Sequence, residues 1–268
     1  MRGSSRKSPA APPSSEARFA GAAAKSASNR QWAAPAAPHL MEQVWHDLLF
    51  AHWTVPVATL RPLVPRELEL DTREGAAWVA VTPFRMTGVR WRGLPPVPGA
   101  SAFPELNVRT YVRAGGKPGV WFFSLDAGNP LAVAAARLFL ALPYHWATMR
   151  TEPFGAGFSY SSERRSEGRA PVVFRAWYEP EPHVFTAVPG TLEHWLVERY
   201  CLYTVRSGTV DRVEIDHEPW PLQRARARIE RNDVAAAAGI GLSGESPDLL
   251  HFARRLDVRI WGPRPAAG

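Results

Sequence analysis

Cysteine is almost absent from the 268-residue chain. The single Cys201 excludes an intrachain disulfide and fits a reducing compartment. It lies in Glu-Arg-Tyr-Cys-Leu-Tyr, near the end of a helical pattern, where a buried structural thiol is expected in preference to a nucleophile. Long apolar runs are missing too. Leu131 to Leu142 is shorter than the roughly 18 to 20 residues that span a bilayer and is interrupted by Arg137, so no membrane partner is expected. A secretory signal needs an apolar core of about 7 to 15 residues, and Phe19 to Ala24 falls short of one. The expected location is cytoplasmic. Lysine is also scarce, because Lys117 is the only one after residue 40.

Familiar catalytic and nucleotide-binding signatures are lacking as well. Gly115-Gly116-Lys117-Pro118-Gly119 does not have the phosphate-loop spacing and sits between two strand patterns, so it reads as a hairpin turn. No Gly-x-Ser-x-Gly elbow is present. His145, His183, His194 and His217 are scattered, with no His-x-x-x-His pair and no cysteine partner at a zinc-like spacing. Asp216-His217-Glu218 is dense, but neighbours on a strand point to opposite faces. No metal and no cofactor are expected.

A net charge of +7 is a reason to consider nucleic acid, but its distribution argues otherwise. Residues 1 to 40 carry Arg2, Arg6, Lys7, Arg18, Lys25 and Arg30 against Glu16, a balance of +5, which leaves 7 − 5 = +2 for the remainder. That remainder has no electrostatic footprint for a phosphate backbone. Residues 1 to 40 are rich in Ala, Ser and Pro and poor in large apolar side chains, so they read as a disordered tail or the product of an over-extended start. Residues 41 to 268 read as a single domain; the whole chain is 46% apolar, and its eleven Trp and twelve Phe, all but Trp32 and Phe19 in this domain, supply an aromatic core.

From Met41 the pattern is one of short strands and turns. Trp45 to Trp53 is an entry strand or short helix. Leu68 to Asp71 is expected to pair with Ala77 to Met86 around Arg73-Glu74-Gly75, with Trp78, Ala80, Thr82 and Phe84 on one face and Val79, Val81 and Arg85 on the other. The proline-rich stretch Gly88 to Ala100 is a long, stiff connection of the kind that covers sites. Asn129-Pro130 opens a helix with Leu131, Ala134, Ala135, Leu138 and Leu142 at helical spacing, ending at Pro143. Thr191 caps a second helix that runs to about Tyr203. Val210 to Asp216 is expected to pair with Leu222 to Glu230, Asn232 to Ile240 and Pro247 to Leu256 to be helical, and Asp257 to Trp261 to be the last strand. Arg224, Arg226 and Arg228 share one strand face, which reads either as a solvated surface or as an anion-binding strip.

The stretch Ser101 to Asp126 reads as one β-hairpin. Its first strand places Glu105, Asn107 and Arg109 on one face by the period of two. Ser124 and Asp126 are expected to join them from the return strand. Turned into a cavity, a desolvated carboxylate beside a guanidinium binds a polar substrate and moves a proton. Turned to water, the same pair is a cross-strand ion pair contributing under about 1 kcal/mol.

Several stretches resemble the YqjF-like family of bacterial proteins, grouped with the acetoacetate decarboxylase-like superfamily. They are Trp-His-Asp-Leu-Leu-Phe-Ala-His-Trp at 45 to 53, Pro-Phe-Arg-Met at 83 to 86, Phe-Pro-Glu-Leu-Asn-Val-Arg-Thr-Tyr-Val at 103 to 112 and Val-Trp-Phe-Phe-Ser-Leu-Asp-Ala at 120 to 127. Leu-Glu-His-Trp-Leu-Val-Glu-Arg-Tyr at 192 to 200 and Glu-Pro-Trp-Pro-Leu-Gln at 218 to 223 continue the resemblance, which spans about residues 42 to 262. It implies a mainly β fold with a few helices, in which curved antiparallel sheets close into a barrel-like cavity. The family itself has no assigned reaction.

The superfamily's decarboxylases form a Schiff base between a lysine and a β-keto acid, the lysine's pKa being lowered by apolar surroundings and a second lysine. By order of elements Glu105 resembles a glutamate of that pocket, and the lysine pair would fall at Pro143-Tyr144-His145. Neither Tyr144 nor His145 can form the imine, and Lys117 belongs to the hairpin turn. The resemblance therefore implies a small-molecule pocket without Schiff-base chemistry. Two functions follow: a lysine-independent enzyme acting on a small carboxylate or keto compound, or a binding protein on the same fold. In the first, Arg109 or Arg85 would hold the carboxylate, and Glu105 with Tyr144 or His145 would exchange protons. In the second, Glu105 and Arg109 would orient a ligand among aromatic walls.

Overall fold

The computed structural model describes residues 30–244 and 246–266. The chain enters on β1 (Met41–Val55), turns through helix α1 (Val57–Leu60) and a 3-10 turn at Arg61–Leu63, and continues as β2 (Glu69–Leu70) and β3 (Ala77–Trp91). The hairpin β4 (Phe103–Ala114) and β5 (Lys117–Ala127) follows, then helix α2 (Pro130–Leu140). Next come β6 (Tyr144–Trp146), β7 (Thr148–Phe154), β8 (Gly157–Arg164), β9 (Val172–Phe185) and helix α3 (Leu192–Val197). The described chain is completed by β10 (Cys201–Arg206), β11 (Thr209–His217), β12 (Leu222–Asn232), helix α4 (Asp233–Ala237), β13 (Leu249–Ile260) and β14 (Arg264–Pro265).

The pairings make a barrel-like ring with an arm. Strands β11, β10, β5, β4, β3, β1 and β13 are neighbours in that order, and β13 pairs back onto β11, which closes the ring. From β13 the sheet continues through β12, β9, β8 and β7, and this arm folds over the outside of the ring. Closure depends on the parallel pairing of β10 with β5 at Leu202 and Val120. Gly119 permits that approach, because a Cβ there would lie 2.7 Å from the Cys201 sulfur and 2.8 Å from its carbonyl oxygen.

Alternation sorts the side chains into two cores. Phe50, Trp78, Phe84, Met86, Phe103, Tyr111 and Leu125 point into the ring. Leu49, Val79, Val81, Leu106, Val108 and Val112 point outward and meet Tyr160, Phe174 and Tyr178 of the arm. Because β4 is covered on both sides, Glu105 through Val112 are all buried and the strand shows no solvent face. The Tyr160 hydroxyl fastens the arm to the ring by donating to the Glu105 carbonyl oxygen at 2.6 Å.

Helix α2 starts as its residues require. The Asn129 side chain accepts from the Leu131 and Ala132 amides at 3.0 and 3.2 Å, Pro130 occupies the first position, and Ala141 ends the helix in the left-handed region. It buries Val133 and Leu140, however, and leaves Leu131 and Leu138 exposed, so the face expected from the leucine spacing is not the packed one.

Several pairings differ from the sequence expectation because the strands take other partners, most of them distant in sequence. β2 joins β4, and Arg73 meets only Ala76 in an isolated bridge. β11 pairs with β10, β13 and β14, while β12 pairs with β9 and β13. Pro247 to Leu256 is not helical, because from Leu249 the chain is β13, held between β1 and β12. The second helix stops at Val197, and Cys201 opens β10. Arg224, Arg226 and Arg228 are exposed on the arm, as a solvated face requires. Where the expected tail is described, Arg30 is buried, with Nη2 donating to Glu214 at 2.7 Å and Nη1 to the Ile215 carbonyl at 2.6 Å, and Trp32 also donates to Glu214. The rest of that expectation, at residues 1–29, lies outside the described residues.

Candidate functional site

The register of the hairpin decides which of the candidate residues meet. Antiparallel partners directly opposite share a face. Glu105 faces Ala127 and Asn107 faces Leu125, with Ala127 and Leu125 in the inner core, so both polar side chains enter the ring. Arg109 follows on the same face, over the Phe50 ring at 5.3 Å. Tyr144 comes in beside them, because β6 pairs in parallel with β5 and sets Tyr144 against Leu125.

Ser124 and Asp126 go the other way. They lie opposite Val108 and Leu106, on the face turned to the arm, because a bulge between Val108 and Arg109 makes β5 supply one extra residue there. His145, in register with Asp126, shares that outer face. Asp126 is ion-paired with Arg164 at 3.2 Å, and the Ser162 hydroxyl lies 3.5 Å from its Oδ2. Burial pushes the Asp126 carboxyl up to about 6 against the pull of Arg164, and burial followed by Arg164 and Arg137 pushes His145 down to about 4. Arg85 alternates with the inward Phe84 and Met86, and its Nε donates to Asp47 at 3.1 Å on the outer surface. The expected polar row therefore divides: Glu105, Asn107, Arg109 and Tyr144 are inside the ring, while Arg85, Ser124, Asp126 and His145 are outside it.

A cavity of about 330 Å³ opens at the end of the ring where β4 begins. Its walls are Met86 and Phe103 of the ring, Leu131, Ala135 and Leu140 of α2, and Leu94, Val97 and Ser101 of the proline-rich connection. That connection does cover a cavity. Tyr144 contributes to the lining and donates its hydroxyl to Glu105 Oε2 at 2.7 Å. Arg90 reaches the rim and is paired with Glu42. The floor is thus a tyrosine backed by a buried carboxyl, under walls that are largely apolar.

Burial dominates the electrostatics of this floor. It pushes the Glu105 carboxyl up to about 7, with Asp126 adding to the effect and the hydrogen bonds from Tyr144 and Asn107 opposing it. Burial and the adjacent Glu105 push the Tyr144 hydroxyl well above its ordinary value, so it remains a donor at neutral pH. Cys201 is buried in the outer core, and its thiol is pushed up to about 12 by burial and by Glu214, which leaves it inert.

Two contributions escaped sequence reasoning. The α2 wall approaches closely through Ala132, Ala135 and Ala136, whose small size at helical spacing is a signal that was present. His52 lies on the inner face of β1 with Leu48 and Phe50, and its Nε2 shares a hydrogen bond of 2.7 Å with the Tyr111 hydroxyl. Its parity with Phe50 was legible, but the identity of the inner face was not.

A closed strand ring with an arm, outer helices and a cavity at one end is the acetoacetate decarboxylase-like fold. An acetoacetate decarboxylase from Legionella pneumophila superposes with a TM-score of 0.59 over 89% of this chain and 93% of its own, at 12% identity. An acetoacetate decarboxylase-like enzyme from Sphingomonas wittichii RW1 gives 0.59 over 88% and 98%, at 13% identity. The enduracididine biosynthesis enzyme MppR, in complex with pyruvate, gives 0.58 over 87% and 93%, at 12% identity. Within that fold, the chain belongs to the DUF2071 family of uncharacterized conserved proteins, which it matches over residues 42–257. The uncharacterized protein YqjF of Bacillus subtilis is 50% identical over 222 residues, covering 83% of this chain and 90% of YqjF.

Proposed function

We propose that the protein is a lysine-independent acid–base enzyme acting on a small keto compound or carboxylate held in the cavity at the end of the ring. The observation that carries this reading is the buried Tyr144–Glu105 pair at 2.7 Å on the cavity floor, with the Glu105 carboxyl raised to about 7. A group poised near neutrality both donates and accepts protons at low driving-force cost. With Glu105 protonated, its proton passes to the Tyr144 oxygen while the Tyr144 hydroxyl donates to a ligand carbonyl oxygen. With Glu105 ionised, Tyr144 turns back to it. Asn107 fixes the carboxyl, and the apolar walls of Met86, Phe103 and Leu140 exclude water from the exchange.

Among the described residues imine chemistry has no suitable lysine, since Lys117 sits at the hairpin end and Tyr144 and His145 follow α2. The pyruvate bound by MppR, at the level of shared fold, supports a short keto acid as the first ligand to try. A second reading, a binding protein without turnover, is favoured by the apolar character of the cavity walls.

The test is incubation with pyruvate, β-keto acids and aliphatic carboxylates, following products by NMR and ligand binding by thermal shift. Turnover that falls at least tenfold in Glu105→Gln and in Tyr144→Phe, and is unchanged in Lys117→Ala, is the expected result. Stabilisation without product selects the binding reading. Turnover that is indifferent to both Glu105→Gln and Tyr144→Phe removes the proposed site.

A further inference from the structure

Arg109 lies four residues beyond Glu105 on the same inner face, 8% exposed, and its Nε and Nη2 have no hydrogen-bond partner. Among the described residues no carboxylate forms an ion pair with it. Its guanidinium carbon is 5.3 Å from the Phe50 ring and 6.0 Å from the Tyr111 ring, so aromatic faces offset part of the buried charge. A second guanidinium converges on the same place. Arg199 lies 4.8 Å from the Tyr111 ring, its Nη2 is also buried without a partner, and its Nη1 is held by Asp71 at 2.6 Å. Asp71 is shared with Arg113 at 2.9 Å, so one carboxylate serves two arginines and none is left for Arg109.

The nearby neutral groups supply a further donor beside one unpartnered acceptor, the Asn107 Oδ1. The Trp78 indole N–H is buried without a partner, and its ring lies 6.4 Å from His52, which is bonded to Tyr111. Water can satisfy an N–H group but does not neutralise a guanidinium enclosed by aromatic rings. A side-on guanidinium edge made of Nε and Nη2 matches the two oxygens of a carboxylate.

We infer that the unpartnered guanidinium edge of Arg109 is an anion site that takes a carboxylate-sized group, with Arg199 and the Trp78 indole as neighbouring donors. It is separate from the Tyr144–Glu105 floor and stands whether or not that pair exchanges protons. The anion is either a free small ion or the head of an apolar acid, and the chemistry of recognition is the same in both.

The experiment measures binding to the full chain, by calorimetry and thermal shift at matched ionic strength, of chloride, acetate and hexanoate, with hexanamide as the neutral control. At least one anion is expected to bind while hexanamide does not. Arg109→Met is expected to weaken that binding about 30-fold or more and to leave the ligand-free protein at least as heat-stable as before, because it removes a buried charge that has no protein counterion. Trp78→Phe, which keeps an aromatic ring at the site but loses the N–H, is expected to weaken it by roughly tenfold and covers the case in which Arg109→Met does not fold. Acetate or chloride matching hexanoate assigns a free ion, and hexanoate alone assigns the head of an apolar acid. Hexanamide binding as well as hexanoate, no anion binding, or anion affinity unchanged by both substitutions overturns the inference. Loss of the acetate response in Glu105→Gln would move the anion to the other site and overturn it too.

Discussion

The two faces of the β4–β5 hairpin carry similar residues and do different things. On the outer face Asp126 meets Arg164 and ties the ring to the arm, and on the neighbouring strand β3 Arg85 meets Asp47 of β1 within the ring. On the inner face Glu105 is held by neutral donors with the apolar cavity over its partner Tyr144, and Arg109 has no carboxylate among the described residues. The same alternation of polar residues therefore makes a glued interface outside and an uncompensated site inside. Charges whose partners are built in serve the fold, whereas charges left without partners are available to a ligand.

The largest effect expected to break this comparison comes from the two arginines. Arg164→Met should cost about 3 kcal/mol in urea unfolding at pH 8, because it strands the buried Asp126, and the loss should shrink as pH falls toward about 6, because without Arg164 the carboxyl takes up its proton at a higher pH than in the wild type. Arg109→Met should cost nothing comparable, since no carboxylate is stranded. Equal losses for the two would erase the distinction between the faces.

Proton linkage should give a similar but pH-bound effect. Glu105 rises from 4.5 to about 7 on folding, so the folded state holds the proton more tightly, and stability falls as pH rises between those values by about 3 kcal/mol. Glu105→Gln should remove that slope, which is read as the difference between wild-type and variant urea curves at pH 4.5 and pH 8. His46 and His145, both lowered to about 4, act in the opposite sense, with stability lost as pH falls through 6.5 toward 4, and they remain in the variant.

Smaller effects sharpen the picture. Tyr144→Phe removes a hydrogen bond that favours the ionised carboxyl, so Glu105 should titrate still higher, with a stability change of about 1 kcal/mol. Arg85→Gln should change stability by under about 1 kcal/mol and ligand binding not at all, because the Arg85 side chain is 40% exposed on the outer surface.

Local chemistry in the sequence was readable wherever it was self-contained. The hairpin with Gly115-Gly116 at its turn, the Asn129 cap and Pro130 of α2, and the shared face of Trp78, Thr82 and Phe84 all follow from neighbours in the chain. The bulge opposite Arg109 was not readable, and it alone turns Ser124 and Asp126 away from Glu105. β13 carries apolar residues compatible with either period and becomes a strand only because β1 and β12 lie on both sides of it. Similarly, Glu105 and Arg109 could be placed on one face from their spacing, but only ring closure makes that face the inside.

The ionisation of Glu105 itself tests the division of the two faces most directly. A carbon-13 NMR titration of the side-chain carboxyls, assigned by the resonance missing in Glu105→Gln, should give a carboxyl titrating near 7, higher again in Tyr144→Phe and shifted by a cavity ligand. A Glu105 carboxyl titrating near its ordinary 4.5, unmoved by Tyr144→Phe, would contradict a buried proton-exchanging floor.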